Sequence, residues 1–247
     1  MKWLWLIFLL AAPLQAGTPP IETILEKVLA RLADAEQMKS RDQIWFKKLQ
    51  VRQELDAESK NSKETHRLYL VTHREGEMRN KLLEINGQPL SAEKLKEEEE
   101  SGERRRGNRN LSRELIERFE FTVTGEAVRD GRKMWKIQFI PRKPLKSEKE
   151  MSDRIINRLE GEALVDQEDY EVGMLSFRLK EKVRFWRGVL GSVERMEYSV
   201  EKKRLLNGVW LPKRSEFQLV GRKVWDTIRF KITETTTENG TNPVALQ

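Results

Sequence analysis

Imidazole chemistry in this chain rests on two side chains, His66 and His73, and thiol chemistry on none, because the sequence contains no Cys. Disulfide frameworks, thiolate zinc sites and cysteine nucleophiles are thereby excluded. His66 and His73 lie in one alternating run, and their odd spacing sends them to opposite faces of a strand. They cannot both ligate one metal there, so a surface or hydrogen-bonded state is expected for each. Asp166, Glu168 and Asp169 form a carboxylate cluster. A hydrolytic pair needs two carboxyls on opposite sides of a bond, and a calcium loop needs six or more oxygens around a sharp Gly turn. Neither pattern is visible, and an acidic β-turn is expected, since Asp bonds its own backbone in turns. Gly188-Val-Leu-Gly-Ser192 fits neither the dinucleotide nor the P-loop spacing and reads as a bend or bulge in a curved sheet. No nucleophile, base and orienting group can be assembled from two His and no Cys. The expectation is a protein without catalytic residues, cofactor or metal.

Two further groups could bind rather than react. Arg104, Arg105, Arg106 and Arg109, with Arg113, follow the run Glu97 to Glu100. Such a charge run reads as a solvated helix face, or as a contact for an anionic headgroup through the guanidinium fork. The adjacent acidic run argues against nucleic acid. The second group is apolar and alternates with polar neighbours: Phe119, Phe121 and Val123; then Trp135, Ile137 and Phe139; then Leu175, Phe177 and Leu179. Phe217 with Leu219, and Ile228 with Phe230, continue it. These residues either fill a dry core or line a ligand cavity. The cavity reading is collective, because one-sided strands outnumber the short helices available to cover them and barrel-like sheets of this size can enclose ligands. Trp186, Trp210 and Trp225 fall on the opposite parity, as an exposed aromatic partner surface or at bulges that shift the parity.

The elements that must position these residues follow from periodicity. Ile21, Ile24, Leu25, Val28, Leu29 and Leu32 make one apolar stripe at helical spacing, predicting a helix of about four turns to near Gln37. Alternating runs follow at Ile44 to Asp56, Lys63 to Arg74 and Glu77 to Ile85. Phe119 to Arg129 and Arg132 to Pro141 flank Asp130-Gly131, the dipeptide a type I′ hairpin turn prefers. Arg154 to Val165, Tyr170 to Lys180, Val183 to Val189, Arg195 to Leu205, Val209 to Val220 and Val224 to Thr235 complete about ten or eleven strands. They predict a mainly β fold with α: one large, curved antiparallel sheet, greasy on one side. Ser91 to Arg118 reads as a charged helical insertion. It would cover that sheet together with the N-terminal helix, Leu115 facing inward beside Ile24, Leu25, Val28 and Leu29.

The chain has 247 residues, 47 Lys+Arg against 40 Asp+Glu, and a formal net charge of +7. Hydrophobic residues make up 38% and charged residues 35%, enough for one core in one large domain. Lys2, the apolar run Trp3 to Ala12 and the small residue Ala16 have the three-part layout of a secretory signal peptide. The run is too short for a membrane span. The organisation expected is a signal peptide over 1–16, cleaved near Ala16, a domain over 17–237 and a flexible tail over 238–247. The protein is then soluble outside the cytoplasm, a monomer with peripheral or no membrane contact.

Three stretches carry a resemblance: Phe119-Glu-Phe-Thr-Val-Thr-Gly125 with Asp130-Gly131-Arg132, Arg158-Leu-Glu-Gly-Glu-Ala-Leu-Val-Asp-Gln-Glu-Asp-Tyr170, and Asn207-Gly-Val-Trp-Leu-Pro212. In these, and in the order of elements over about residues 20 to 236, the chain resembles the outer-membrane lipoprotein-sorting (LolA/LolB-like) superfamily and its relatives akin to the sigma-E regulator RseB. The resemblance implies an unclosed β-barrel with a helical lid over a hydrophobic cavity. It also implies a non-enzymatic periplasmic carrier that takes the acyl chains of lipoproteins or lipids. The carriers' lid arginine would fall within the insertion, among Arg104, Arg105, Arg106, Arg109 and Arg113. The alternative is a cell-envelope interaction or sensor module that binds a protein partner through its surface.

Overall fold

The computed structural model describes residues 17–55, 61–74, 77–91, 116–143, 150–185, 191–223 and 226–241. Helix α1 spans Ile21–Ala33 and buries Ile24 and Val28 from its apolar stripe. It stops short of Gln37 because Asp34 takes an extended backbone (φ −68°, ψ 116°) while its N–H still bonds to the Arg31 carbonyl. A separate helix, α2 (Ala35–Asp42), follows at once.

The period then changes to two, and strands follow: β1 (Ile44–Leu55), β2 (Asn61–Arg74), β3 (Glu77–Ile85), the short β4 (Gln88–Pro89), β5 (Phe119–Arg129) and β6 (Arg132–Pro141). Asn86 and Gly87 (φ 51° and 76°) and Asp130 and Gly131 (φ 50° and 76°) both take the left-handed pair of a type I′ turn. The chain next forms a short helix, α3 (Met151–Ile156), where alternation predicts the start of a strand at Arg154. A reciprocal capping box between Glu150 and Asp153 nucleates that helix, and the strand β7 begins only at Leu159. The remaining strands are β7 (Leu159–Asp166), β8 (Val172–Leu179), β9 (Val183–Phe185), β10 (Gly191–Arg204), β11 (Trp210–Lys223) and β12 (Asp226–Thr241).

All of them join one antiparallel sheet of 12 strands in the order β4-β3-β2-β1-β12-β11-β10-β8-β7-β6-β5, with the short β9 also on β10. The strand beyond the predicted runs is the short β4, and β9 is the start of the predicted run from Val183. The first and last long strands meet inside the sheet, with β1 pairing along β12 from Ile44↔Thr241 to Glu54↔Phe230. Strand β12 therefore continues through Glu238 to Thr241, past the predicted start of the tail, with Gly240 lying under the Trp45 ring. The sheet's edges are β4 and β5, neighbours in sequence that do not pair with each other. The barrel is unclosed at that place. The segment 92–115 that links these edges, with Leu115 and the Arg104 to Arg113 cluster, lies outside the described residues, as do 1–16 and 242–247.

Two apolar clusters form the core, one of them between α1 and the sheet. Ile24 and Val28 of α1 pack with Trp135, Ile137 and Val165. At the other end Ile44, Phe46 and Val71 pack with Val209 and Leu211.

Candidate functional site

Residues directly opposite in a ladder share a face, so register decides which side chains meet. Phe121↔Phe139 and Val123↔Ile137 link β5 to β6, and Trp135↔Val165, Ile137↔Ala163 and Phe139↔Gly161 carry the face to β7. Gly161↔Phe177, Phe177↔Tyr198 and Tyr198↔Phe217 continue it through β8, β10 and β11. Phe217↔Ile232 and Leu219↔Phe230 bring it to β12. By this path Phe119, Leu175, Leu179 and Ile228 fall on the same side. Every predicted cavity residue thus shares one face, and it is the face against which α1 packs.

That face has two parts. Under α1 it is filled by Trp135 and Ile137, and beside them Phe119 and Phe139 are also buried, with edge-on and tilted ring contacts among Phe119, Phe121 and Phe139. Gly161 makes room there, since a Cβ would stand 2.4 Å from the Phe139 ring and 2.2 Å from the Ser176 carbonyl oxygen. Farther along, Leu175, Phe177, Leu179, Phe217, Leu219, Ile228 and Phe230 are only half-buried. Phe177 pairs with Tyr198 at 5.1 Å and Phe217 with Phe230 at 5.8 Å between ring centroids. Of the predicted lid residues, Ile24 and Val28 are buried, and Leu25 and Leu29 are half-buried.

Polar groups on this face concentrate at β1, β2 and β12. Glu234 accepts bonds from Gln50 at 2.9 Å and Ser215 at 3.2 Å and pairs with Lys48 at 3.0 Å. Burial pushes its carboxyl up, but the Lys48 charge and these hydrogen bonds outweigh burial and hold it below its ordinary value. Arg52 lies 4.3 Å over the Phe230 ring, and Arg67 stands opposite Gln50 and Ile85 in register. The Arg67 Nε is buried without a hydrogen-bond partner. Sequence reasoning missed these two arginines, whose common face with Phe230 follows only from the register of β12, β1 and β2.

The acidic turn is structural. Asp166 is 1% exposed and takes Arg132 in a two-point pair at 2.5 and 2.6 Å. It also accepts the backbone N–H groups of Glu168 and Asp169. Asp169 accepts from Arg204 at 2.6 Å and from the Trp210 indole at 2.9 Å. Glu171, 2% exposed, is ringed by Lys202 at 2.6 Å, Arg41 at 3.3 Å and Arg31 at 3.9 Å. Tyr170 (φ 54°) stacks on Trp135 at 5.4 Å and accepts a hydrogen bond from Lys27 at 3.0 Å. This turn therefore ties α1 and α2 to the sheet.

The remaining candidates resolve locally. His66 and His73 fall on opposite faces: His66 beside Glu64 on the outer side, and His73 against Phe46 on the inner side. Trp210 is buried, not an exposed partner surface: next to a register shift at Glu201/Lys202, its ring lies beside Gly173 and its indole bonds to Asp169. Trp186 and Trp225 lie outside the described residues. Gly191 (φ 148°) passes so close to the Arg222 carbonyl that a Cβ would stand 2.4 Å from it, beside a bulge at Val193/Arg195. A cleft of about 480 Å³ lies over the sheet's opposite, polar side, lined by Gln138, Glu162, Ser176, Ser199, Glu216 and Lys231 among others.

No protein-family model and no curated protein matches the sequence. The chain is similar to several solved structures. One is a DUF1329 family protein from Desulfovibrio piger, 9% identical, with 91% of this chain and 94% of that one covered at a TM-score of 0.35. Another is an outer membrane lipoprotein-sorting protein domain from Vibrio parahaemolyticus, 11% identical, covering 87% and 93% at 0.31. A third is a LolA superfamily protein from Nitrosomonas europaea, 9% identical, covering 91% and 94% at 0.32.

Proposed function

We propose that this protein is a non-enzymatic carrier that takes acyl chains of lipoproteins or lipids on the inner face of its open sheet, outside the cytoplasm. One observation carries the reading. The half-buried row Leu175, Phe177, Phe217, Leu219 and Phe230 continues the face that α1 covers, yet it belongs neither to the cluster under α1 nor to the second core cluster. Each methylene laid against such a row is worth about 0.8 kcal/mol, so a chain of modest length binds without any directed chemistry. The export signal over 1–16 and the soluble, monomeric state belong to the same reading.

The test is calorimetric titration of the delipidated protein with monooleoylglycerol. Saturable binding that weakens at least about fivefold in a Phe217→Ser variant is expected, from the loss of one aromatic contact. Absence of binding by the native protein, to this lipid and to a charged counterpart with the same acyl chain, would sink the carrier reading.

The polar cleft on the outer face favours a second reading, an envelope interaction module that binds a protein partner there. Mass spectrometry of gently purified protein separates the two. Co-purifying lipid supports the carrier; a clean apo mass, with a partner captured by the native protein and lost in a Ser176→Arg variant, supports the module.

A further inference from the structure

The inner face does not end in hydrocarbon. From β12 across β1 to β2, aromatic residues give way to the cations Lys48, Arg52 and Arg67. Register places Arg52 opposite Thr65 and Arg67 opposite Gln50. The two arginines are therefore diagonal neighbours on adjacent strands, about 7 Å apart at Cβ. That spacing lets two guanidinium forks converge on one small anion. Both side chains are half-buried, and two like charges set side by side there repel each other unless an anion offsets them.

No such anion comes from the described residues. Glu234, on the same face, is already committed to Lys48, Gln50 and Ser215. Glu54, the next residue of this face after Arg52, is exposed, stands opposite Phe230 and Lys63 in register, and forms no ion pair with either arginine. Among the described residues neither Arg52 nor Arg67 has a carboxylate partner. Arg52 has only the Phe230 ring beneath it, and the Arg67 Nε is buried with its hydrogen unused. A dry, unsatisfied guanidinium N–H is costly to leave unmade. Arginine is also the side chain whose planar fork matches a phosphoryl group at two points.

We propose that Arg52 and Arg67 are the headgroup end of the cavity and bind a phosphomonoester, its acyl chain lying along Phe230 and Phe217. This rests on the carrier reading and narrows it to anionic amphiphiles. It also moves headgroup recognition from the Arg104 cluster to the sheet itself.

The experiment titrates the whole protein in low-salt buffer with three probes: oleoyl lysophosphatidic acid, monooleoylglycerol and inorganic phosphate. The native protein is expected to bind the phosphorylated lipid at least about tenfold more tightly than the neutral one, the effect of charge-assisted bonds. It should bind inorganic phosphate far more weakly than either lipid. A double variant, R52Q with R67Q, should bring the two lipids within about twofold while leaving the neutral lipid unchanged, which also reports intact folding. Equal lipid affinities in the native protein, a preference that survives the double variant, or equal loss of both lipids would overturn the arginine site and leave the cavity standing. Inorganic phosphate binding as tightly as the phosphorylated lipid would overturn the headgroup assignment in favour of a free-anion site. Failure of both lipids to bind the native protein would remove the carrier reading and this site with it.

Discussion

Arg132, the first residue after the Asp130-Gly131 turn, reaches across to Asp166 at the end of β7 and grips its carboxylate at 2.5 and 2.6 Å. The pair joins two successive hairpins. From there the chain runs through Asp169, which holds Trp210, and Glu171, which holds both helices. Asp166 is the buried partner and Arg132 is 20% exposed, so the two ends respond unequally to substitution. Asp166→Ala strands Arg132 and two backbone N–H groups and is expected to cost about 3 kcal/mol or more in urea unfolding. Glu168→Gln, at a side chain 77% exposed, should cost less than about 0.5 kcal/mol. Equal losses would show that the turn's charge as a whole, not the buried pair, holds the hairpins together.

Acid should unfold this protein in two separable stages. Burial lowers the pKa of His73, and the Arg41 charge lowers it further. The unfolded chain then binds the extra proton first, so stability falls as pH drops below about 6.5 and this loss levels off below the folded-state value. Burial pushes the Asp166 carboxyl up, but hydrogen bonds from Arg132 and from the backbone of Asp169 and Glu168 hold it below its ordinary value. Its stabilisation is complete above about pH 4 and is lost as pH falls through the lower folded-state value. Urea midpoints measured from pH 8 to pH 3 should lose the first slope in His73→Gln alone. They should lose part of the second in Asp166→Asn alone. A His73→Gln variant that keeps the upper slope would refute the assignment.

The close approach at Gly161 sets another expectation. Its neighbours in register are Phe139 and Phe177, and the Phe139 ring occupies the volume a side chain would need. Gly161→Ala must displace the ring or spread β7 from β8, where Ser176 contributes the nearest oxygen. A loss of about 1–3 kcal/mol is expected in thermal or urea unfolding. The variant joined to Phe139→Leu, which vacates part of that volume, should lose less than the sum of the two single changes. Strict additivity would mean that ring and glycine are not coupled.

Strands were legible where local rules decide them. Phe119–Arg129 and Arg132–Pro141 have the predicted limits, because a two-residue turn of fixed type and an alternating face over-determine that hairpin. Parity alone placed the inner-face aromatics together. What could not be read is whatever depends on distant partners. Nothing near Ile44 in the sequence indicates its pairing with Thr241, and that pairing decides where the barrel opens. For Trp210 the residues leave two readings open, an exposed surface or a parity-shifting bulge, and only the register shift at Glu201/Lys202 and the burial of the ring decide between them. The α3 segment went unread because alternation at Arg154 to Ile156 is too short to outweigh the capping box before it. The guanidinium pair of Arg52 and Arg67 was visible as charge in strands, but only the ladder between β1 and β2 makes them neighbours.

The tie between the acidic turn and the helices yields the last expectation. Glu171 sits between Arg31 of α1, Arg41 of α2 and Lys202 of β10. Its carboxylate is the common counter-charge of three cations drawn from three elements. Glu171→Gln leaves the shape of the side chain and removes the charge, so Arg31, Arg41 and Lys202 are left facing one another. Ile24 and Val28 still contribute apolar burial against Trp135 and Ile137, so α1 should not be lost outright. Its opening should instead become more frequent. Amide exchange across residues 21–42 is expected to accelerate at least about tenfold, the effect of losing one buried ionic contact, while β5, β6 and β7 keep their protection. Ile24→Ala, which shortens the apolar contact instead, should accelerate α1 far more than α2. If Glu171→Gln leaves exchange in both helices unchanged, the three ion pairs do not fasten them, and the Tyr170 stack on Trp135 with the Lys27 bond is what does.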